Sequence, residues 1–174
     1  MRPIELKIKG INSYREEQVI NFNQLTSQGF FGIFGPTGSG KSTILDAITL
    51  ALYAKLPRGS KNFININETS ASVSFRFSIT TTETKEYLVE RSFRYPGKDR
   101  SSTARNTTAR LSLLSDVDTE VLADKPTDVT RSCTDLLGLS SDDFLRTVVL
   151  PQGQFSDFLK LKNQERRGML QRIF

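Results

Sequence analysis

Gly35-Pro36-Thr37-Gly38-Ser39-Gly40-Lys41-Ser42 is an uninterrupted phosphate-binding loop pattern: glycine, four residues, then Gly-Lys-Ser. A di- or triphosphate needs several hydrogen-bond donors converging on its oxygens, and Gly38 and Gly40 let the backbone curl so that successive N–H groups point inward. A helix starting at the loop adds the positive end of its dipole. Lys41 then supplies an ammonium to the β- and γ-phosphates, and the Ser42 hydroxyl completes the shell of a Mg²⁺ ion that keeps most of its waters. Thr43 is the next donor in line. The stretch Gly35 to Thr43 thus calls for a nucleotide and Mg²⁺ as its first ligands.

The flanks supply the expected context. Gly29-Phe30-Phe31-Gly32-Ile33-Phe34 is a short apolar run that predicts a buried strand feeding the loop. Behind the loop, Ile44, Leu45, Ala47, Ile48, Ala51 and Leu52 recur at the spacing of one helix face. Strand, glycine loop and helix, in that order, are what the motif requires.

At 174 residues, 37% of them apolar and 25% charged, the chain has the composition of an ordinary globular protein with one real core. No run approaches the roughly 18 apolar residues of a membrane-spanning helix. The alternation of Ile4, Leu6 and Ile8 with Glu5, Lys7 and Lys9 predicts a strand at the N-terminus rather than a signal peptide. Cys133 is the single cysteine and histidine is absent, which excludes an internal disulfide, a Cys/His zinc site and a histidine-based triad. Cys133 reads as a small core residue on a helix, and the cytoplasm as the compartment.

The net charge of +5 is local. Arg91, Arg94, Lys98, Arg100, Arg105 and Arg110 lie in one stretch with a single acid, Asp99, and the remainder of the chain is balanced. Around Tyr95-Pro96-Gly97 this basic segment reads as a hairpin that contacts DNA phosphates or, more plainly, as a solvated loop.

Further along, a second short strand is expected near Val19 to Phe22, so that three strands precede the helix. Lys55 to Asn67 is polar and reads as an irregular connection. Val73, Phe75, Phe77 and Ile79 alternate with polar residues and lead through a turn at 80–85 into Tyr87-Leu88-Val89, an antiparallel hairpin. A further pair is expected at Ala109–Leu114 and Glu120–Leu122. Thr127 is read as the cap of a helix that buries Val129, Cys133, Leu136 and Leu137 and stops at Gly138. Ser140 or Ser141 opens the next helix, with Asp143 completing a capping pair. From Gln164 to Phe174, Met169, Leu170, Ile173 and Phe174 build an apolar face with no C-cap behind it, which predicts a segment cut from something longer.

Phosphoryl chemistry at such a loop needs a second element, an apolar strand ending in Asp-Glu that supports Mg²⁺ and polarises water. The sequence has none: Leu111–Asp116 is broken by serines, and Val148-Val149-Leu150 runs into Pro151.

The string from Gly35 to Tyr53 (continuing Thr43-Ile44-Leu45-Asp46-Ala47), followed by Pro57-Arg58, resembles the SbcC family of SMC-like, ABC-type DNA-repair ATPases. Leu150-Pro151-Gln152-Gly153-Gln154-Phe155, followed by Glu165-Arg166, is similar to that family's glutamine loop and the start of its coiled coil. Smaller echoes occur at Asn12-Ser13 and at Val121 to Lys125, so the likeness spans nearly the whole chain and is weakest between Asn67 and Ala109.

The resemblance implies an α/β P-loop NTPase fold, the N-terminal lobe of an ABC-ATPase-like head with a mixed sheet, antiparallel β-hairpins and helices. Residues 1–162 would form the lobe and 163–174 begin the coiled-coil helix. Gln152 would contact Mg²⁺ and the water near the γ-phosphate, with Lys41 as the other catalytic residue and Asn12 and Ser13 as nucleotide contacts. The implied partners are the C-terminal lobe of the same protein, a second head across two sandwiched ATP molecules, the SbcD nuclease and double-stranded DNA. The signature loop, the Asp-Glu strand and the zinc-hook cysteines would lie outside this chain. A P-loop kinase is the alternative, with Arg91 to Arg110 as its lid, but kinases continue with parallel βαβ units rather than a hairpin. A DNA-binding module with a silent nucleotide site is the third reading.

Overall fold

The computed structural model describes residues 1–25, 31–56, 62–97, 100 and 102–149. Its strands are β1 (Arg2–Lys9), β2 (Gln18–Asn21), β3 (Ser70–Thr80), β4 (Thr84–Arg94), β5 (Arg105–Leu114) and β6 (Thr119–Ala123). Its helices are α1 (Phe22–Leu25), α2 (Lys41–Tyr53), α3 (Pro126–Leu137) and α4 (Ser141–Phe144), followed by a π-helical turn at Leu145–Val149.

The strands form one sheet in the order β2-β1-β3-β4-β5-β6, and every pairing is antiparallel. Alternation decides which face is covered. Leu6 and Ile8 of β1, Val73, Phe75 and Phe77 of β3, Val89 and Phe93 of β4 and Leu111 of β5 are buried on the face that α2 and α3 cover. Phe75, Phe77 and Tyr87 stack with ring centroids 5.3 and 5.6 Å apart. The opposite face carries Glu5, Lys7, Ser72, Ser74, Arg76, Glu90, Ser92, Thr108 and Arg110 and is open.

Two expectations change at the start of the chain. The run 29–34 does not become a strand over its described part, 31–34, so β2 is followed by the short helix α1 rather than by a third strand. A buried strand needs a ladder partner, and among the described residues none lies beside this run. Its side chains stay uncovered: Phe34 is 93% exposed, and Phe31 touches Phe22 with centroids 5.8 Å apart. Among the described residues the sheet is therefore antiparallel rather than mixed. On α2 the buried stripe runs through Ile44, Ala47, Leu50 and Ala51, while Leu45 faces outward.

The second half follows its reading more closely. Cys133 is fully buried on α3, which ends at Gly138 in the left-handed conformation. Its first residue is Pro126, whose fixed φ and missing N–H suit the first helical position, so Thr127 lies inside the helix and the N-cap position falls to Lys125. Ser140 caps α4 as expected, its hydroxyl accepting from the Asp143 backbone N–H at 3.2 Å and donating to the Asp143 carboxylate at 2.8 Å. The Tyr53 hydroxyl donates to the Leu139 carbonyl at 3.0 Å and joins the end of α2 to this segment.

A candidate nucleotide-binding site

The phosphate loop emerges from 31–34 and turns into α2 at Gly40, the N-cap. Gly38 and Gly40 have φ of 85° and 91°, a region that glycine enters without steric cost. At Gly40 a side chain is excluded for a second reason, since a Cβ would stand 2.9 Å from the Tyr14 ring. The Ser39 N–H donates to the Pro36 carbonyl at 3.2 Å and closes the loop, and the Thr43 N–H donates to the Gly40 carbonyl at 3.0 Å as the first bond of the helix. Pro36, Thr37, Gly38 and Ser39 are exposed, so the concave side of the loop is open to solvent.

The Lys41 ammonium lies back over the loop, donating to the Gly35 and Pro36 carbonyls at 2.7 Å each and standing 3.4 Å from the Ser39 hydroxyl. Two neutral carbonyls hold the ammonium, and a phosphate oxygen would hold it more strongly, because hydrogen bonds to charged acceptors are about twice as strong as neutral ones. Ser42 is exposed at the first turn of α2, and Thr43 is buried behind it. These groups fit a polyphosphate with one hydroxyl free for a cation. Among the described residues, no cluster of three or more acids or thiols could hold a metal by itself.

The hairpin after β1 braces the loop through three consecutive residues. The Asn12 amide donates to the Thr43 hydroxyl at 3.4 Å, the Ser13 hydroxyl to the Gly38 carbonyl at 2.9 Å, and the Tyr14 hydroxyl to the Gly40 carbonyl at 3.4 Å. The structure thus brings Asn12 and Ser13 to the loop and adds Tyr14, which the sequence reading missed. Partial burial raises the Tyr14 pKa, so its hydroxyl keeps its proton and stays a donor. The only sequence signal for Tyr14 is its place beside Asn12-Ser13. Gln152, Gln154 and Lys98 lie outside the described residues.

The basic stretch divides. Arg91 is 2% exposed and donates to the Ala51 and Leu52 carbonyls at 2.6 and 3.1 Å, to Thr130 Oγ1 at 3.0 Å and to the Pro126 carbonyl at 3.3 Å. It cannot touch DNA: alternation turns it to the covered face, where its fork ties the end of α2 to the start of α3. Burial among these groups lowers its pKa. Arg100 is also engaged internally, on the Asn65 and Glu68 carbonyls and over the Tyr95 ring at 5.6 Å. Arg94, Arg105 and Arg110 are exposed on the open face, with Arg94 and Arg105 directly opposite each other.

A glycine loop opening a helix, braced by a neighbouring hairpin and carrying a lysine over its mouth, defines a P-loop nucleotide-binding lobe. A family model described as "AAA domain" matches residues 5–174, and the chain belongs to that family. Within it the chain resembles SbcC-type N-terminal ATPase lobes. It is 53% identical over its full length to the SbcC component of the SbcCD nuclease of Clostridium acetobutylicum and 51% identical to that of Bacillus subtilis, and it spans 15% of each. It is also 34% identical over 98% of its length to a probable DNA double-strand break repair Rad50 ATPase of Aquifex aeolicus, of which it covers 16%. A solved structure from work on ATP-driven dimerization and DNA-stimulated activation of SMC ATPases superposes with a TM-score of 0.62 at 23% identity, each chain fully covered, and shares the fold. Among the described residues no helix is long and apolar enough to cross a membrane.

Proposed function

We propose that this chain is the ATP-binding N-terminal lobe, residues 1–162, of an SbcC-like DNA-repair ATPase, with 163–174 beginning its coiled coil. The observation that carries the reading is a built and braced phosphate loop in a chain with no Asp-Glu strand. In this account Gly35 to Thr43 enclose the phosphates, and Lys41 leaves its two carbonyls for the β- and γ-oxygens. Ser42 and Gln152 hold Mg²⁺, and Gln152 orients water at the γ-phosphate. The acid pair comes from a C-terminal lobe of the same protein. The uncovered run at Phe31, Ile33 and Phe34 is where that lobe would supply the missing strand, since exposed apolar side chains on a backbone with no strand partner among the described residues call for a partner. Engagement of a second head across two ATP molecules would then control access of DNA to the SbcD nuclease.

The DNA reading moves from the hairpin tip to the open sheet face. Arg94, Arg105 and Arg110 share that face with Lys7 and Lys9, and Lys7, Lys9 and Arg110 line a trough of about 780 Å³ whose wall also carries Glu5, Glu17, Glu90 and Asp124. Like charges directly opposite on a sheet repel, and the Arg94–Arg105 pair is relieved by a phosphate between them.

Co-expression with a C-terminal lobe tests the two-lobe reading. ATPase activity should appear only in the joint complex, vanish with Lys41→Ala and fall with Gln152→Ala. Turnover of ATP by this chain alone onto a small acceptor would favour the kinase instead.

A further inference from the structure

We propose that residues 63–68 couple the nucleotide loop to the basic face, with Asn65 and Arg100 as the positioning residues of that link. The inference rests on the nucleotide and DNA readings above. Asn12 touches the first turn of α2 through Thr43, and its backbone is left-handed, with φ of 46°. That region is uncommon outside glycine, and asparagine enters it more readily than most residues. Three bonds to 63–65 hold it. The Asn12 N–H donates to the Phe63 carbonyl at 2.7 Å, the Asn65 amide donates to the Asn12 carbonyl at 2.6 Å, and the Asn65 N–H donates to the Gly10 carbonyl at 2.8 Å.

The same short segment is gripped from the other side. Arg100 donates to the Asn65 carbonyl at 3.0 Å and to the Glu68 carbonyl at 2.5 Å, and its plane lies over Tyr95 at the end of β4. Arg15, at the base of the Asn12 hairpin, donates to the Glu68 carboxylate at 2.9 Å. Asn65 thus carries an amide on the loop that braces the phosphate site and a carbonyl on the arginine that fastens the hairpin behind Arg94 and Arg105. Phe63 also packs edge-on against Phe93 of β4, with centroids 5.2 Å apart, so the segment cannot shift without moving that strand. Phosphate entry that draws Gly38 and Gly40 inward pulls on Ser13, Tyr14 and Asn12, and through Asn65 on Arg100. A phosphodiester that fixes Arg94 and Arg105 pulls in reverse, and such coupling must be equal in both directions.

The experiment uses the full-length protein carrying both lobes. The affinity for the Mg²⁺ complex of a non-hydrolysable ATP analogue is measured with and without a duplex of about 30 base pairs, and duplex affinity with and without the analogue. The unsubstituted protein should show the same factor in both directions, about fivefold or more. Asn65→Ala should bring the factor to near one. Arg100→Met should do the same, because it removes the Nη2 donor that serves both carbonyls, and the factor, being a ratio, is insensitive to the lost charge. The same substitution also serves as the second variant where Asn65→Ala does not fold. A factor unchanged in the folded variants overturns the link while leaving the DNA reading intact. Absence of duplex binding in the unsubstituted protein overturns the DNA reading, and the link with it.

Discussion

Gly40 concentrates the local constraints on the site: positive φ, the N-cap of α2, and a Tyr14 ring where a Cβ would stand. Gly40→Ala should therefore cost about 1–2 kcal/mol from the left-handed backbone alone, with the displaced ring adding to it, and a urea titration reads the loss. Lys41→Ala removes no buried interaction, so stability should hold while ADP affinity, read by calorimetry, falls by roughly 1.5–3 kcal/mol, the usual worth of a hydrogen bond to a charged group. Cys133 titrates in the opposite sense to a reactive thiol. Burial pushes its pKa up to about 11, against the slight downward pull of Arg91. The folded state therefore holds the proton more tightly than the unfolded one. The stabilisation is fully present below pH 9 and is lost between about 9 and 11, with stability falling at up to about 1.4 kcal/mol per pH unit as the unfolded thiol ionises first. Iodoacetamide should accordingly label Cys133 at the rate of unfolding, not of encounter.

At the scale of elements, α2 is fixed at both ends by groups distant in sequence. Tyr14 and Asn12 meet its N-terminus, and Arg91 donates to the carbonyls of Ala51 and Leu52 near its C-terminus, where positive charge also complements the helix dipole. Arg91→Met keeps the volume but strips donors from buried carbonyls, and an equilibrium denaturation curve should shift by about 3 kcal/mol, at the upper end of the cost of an unsatisfied buried group. The elements with clean periodicity are legible in the sequence: both hairpins, α3 with its glycine stop, and the Ser140 cap. Thr127 misleads because a threonine beside a proline is a good cap by type, while Pro126 wins the first helical position by its fixed φ. The run 29–34 misleads because apolar content predicts burial only where something is present to bury it, and a strand exists by its ladder.

At the scale of the molecule, one antiparallel sheet separates two surfaces. The covered face holds Arg91 and the core, and the open face holds Lys7, Lys9, Arg94, Arg105 and Arg110. If DNA lies on the open face, binding should weaken with salt. Replacing both Arg94 and Arg105 by Gln should lower the slope of log K against log salt by about two, near 0.9 for each phosphate no longer neutralised. The same replacement at Arg91 should act through folding instead. The sequence alone determined the phosphate loop, its helix and the sheet's alternation, because these depend on local spacing, on glycine's freedom and on a period of two. Only the tertiary structure sorted the basic residues of this stretch into internal braces and exposed charges, and only it brought Tyr14 and Asn65 to the site. A residue's charge is written in its side chain, but its exposure and its partners are set by strands that meet from distant parts of the chain.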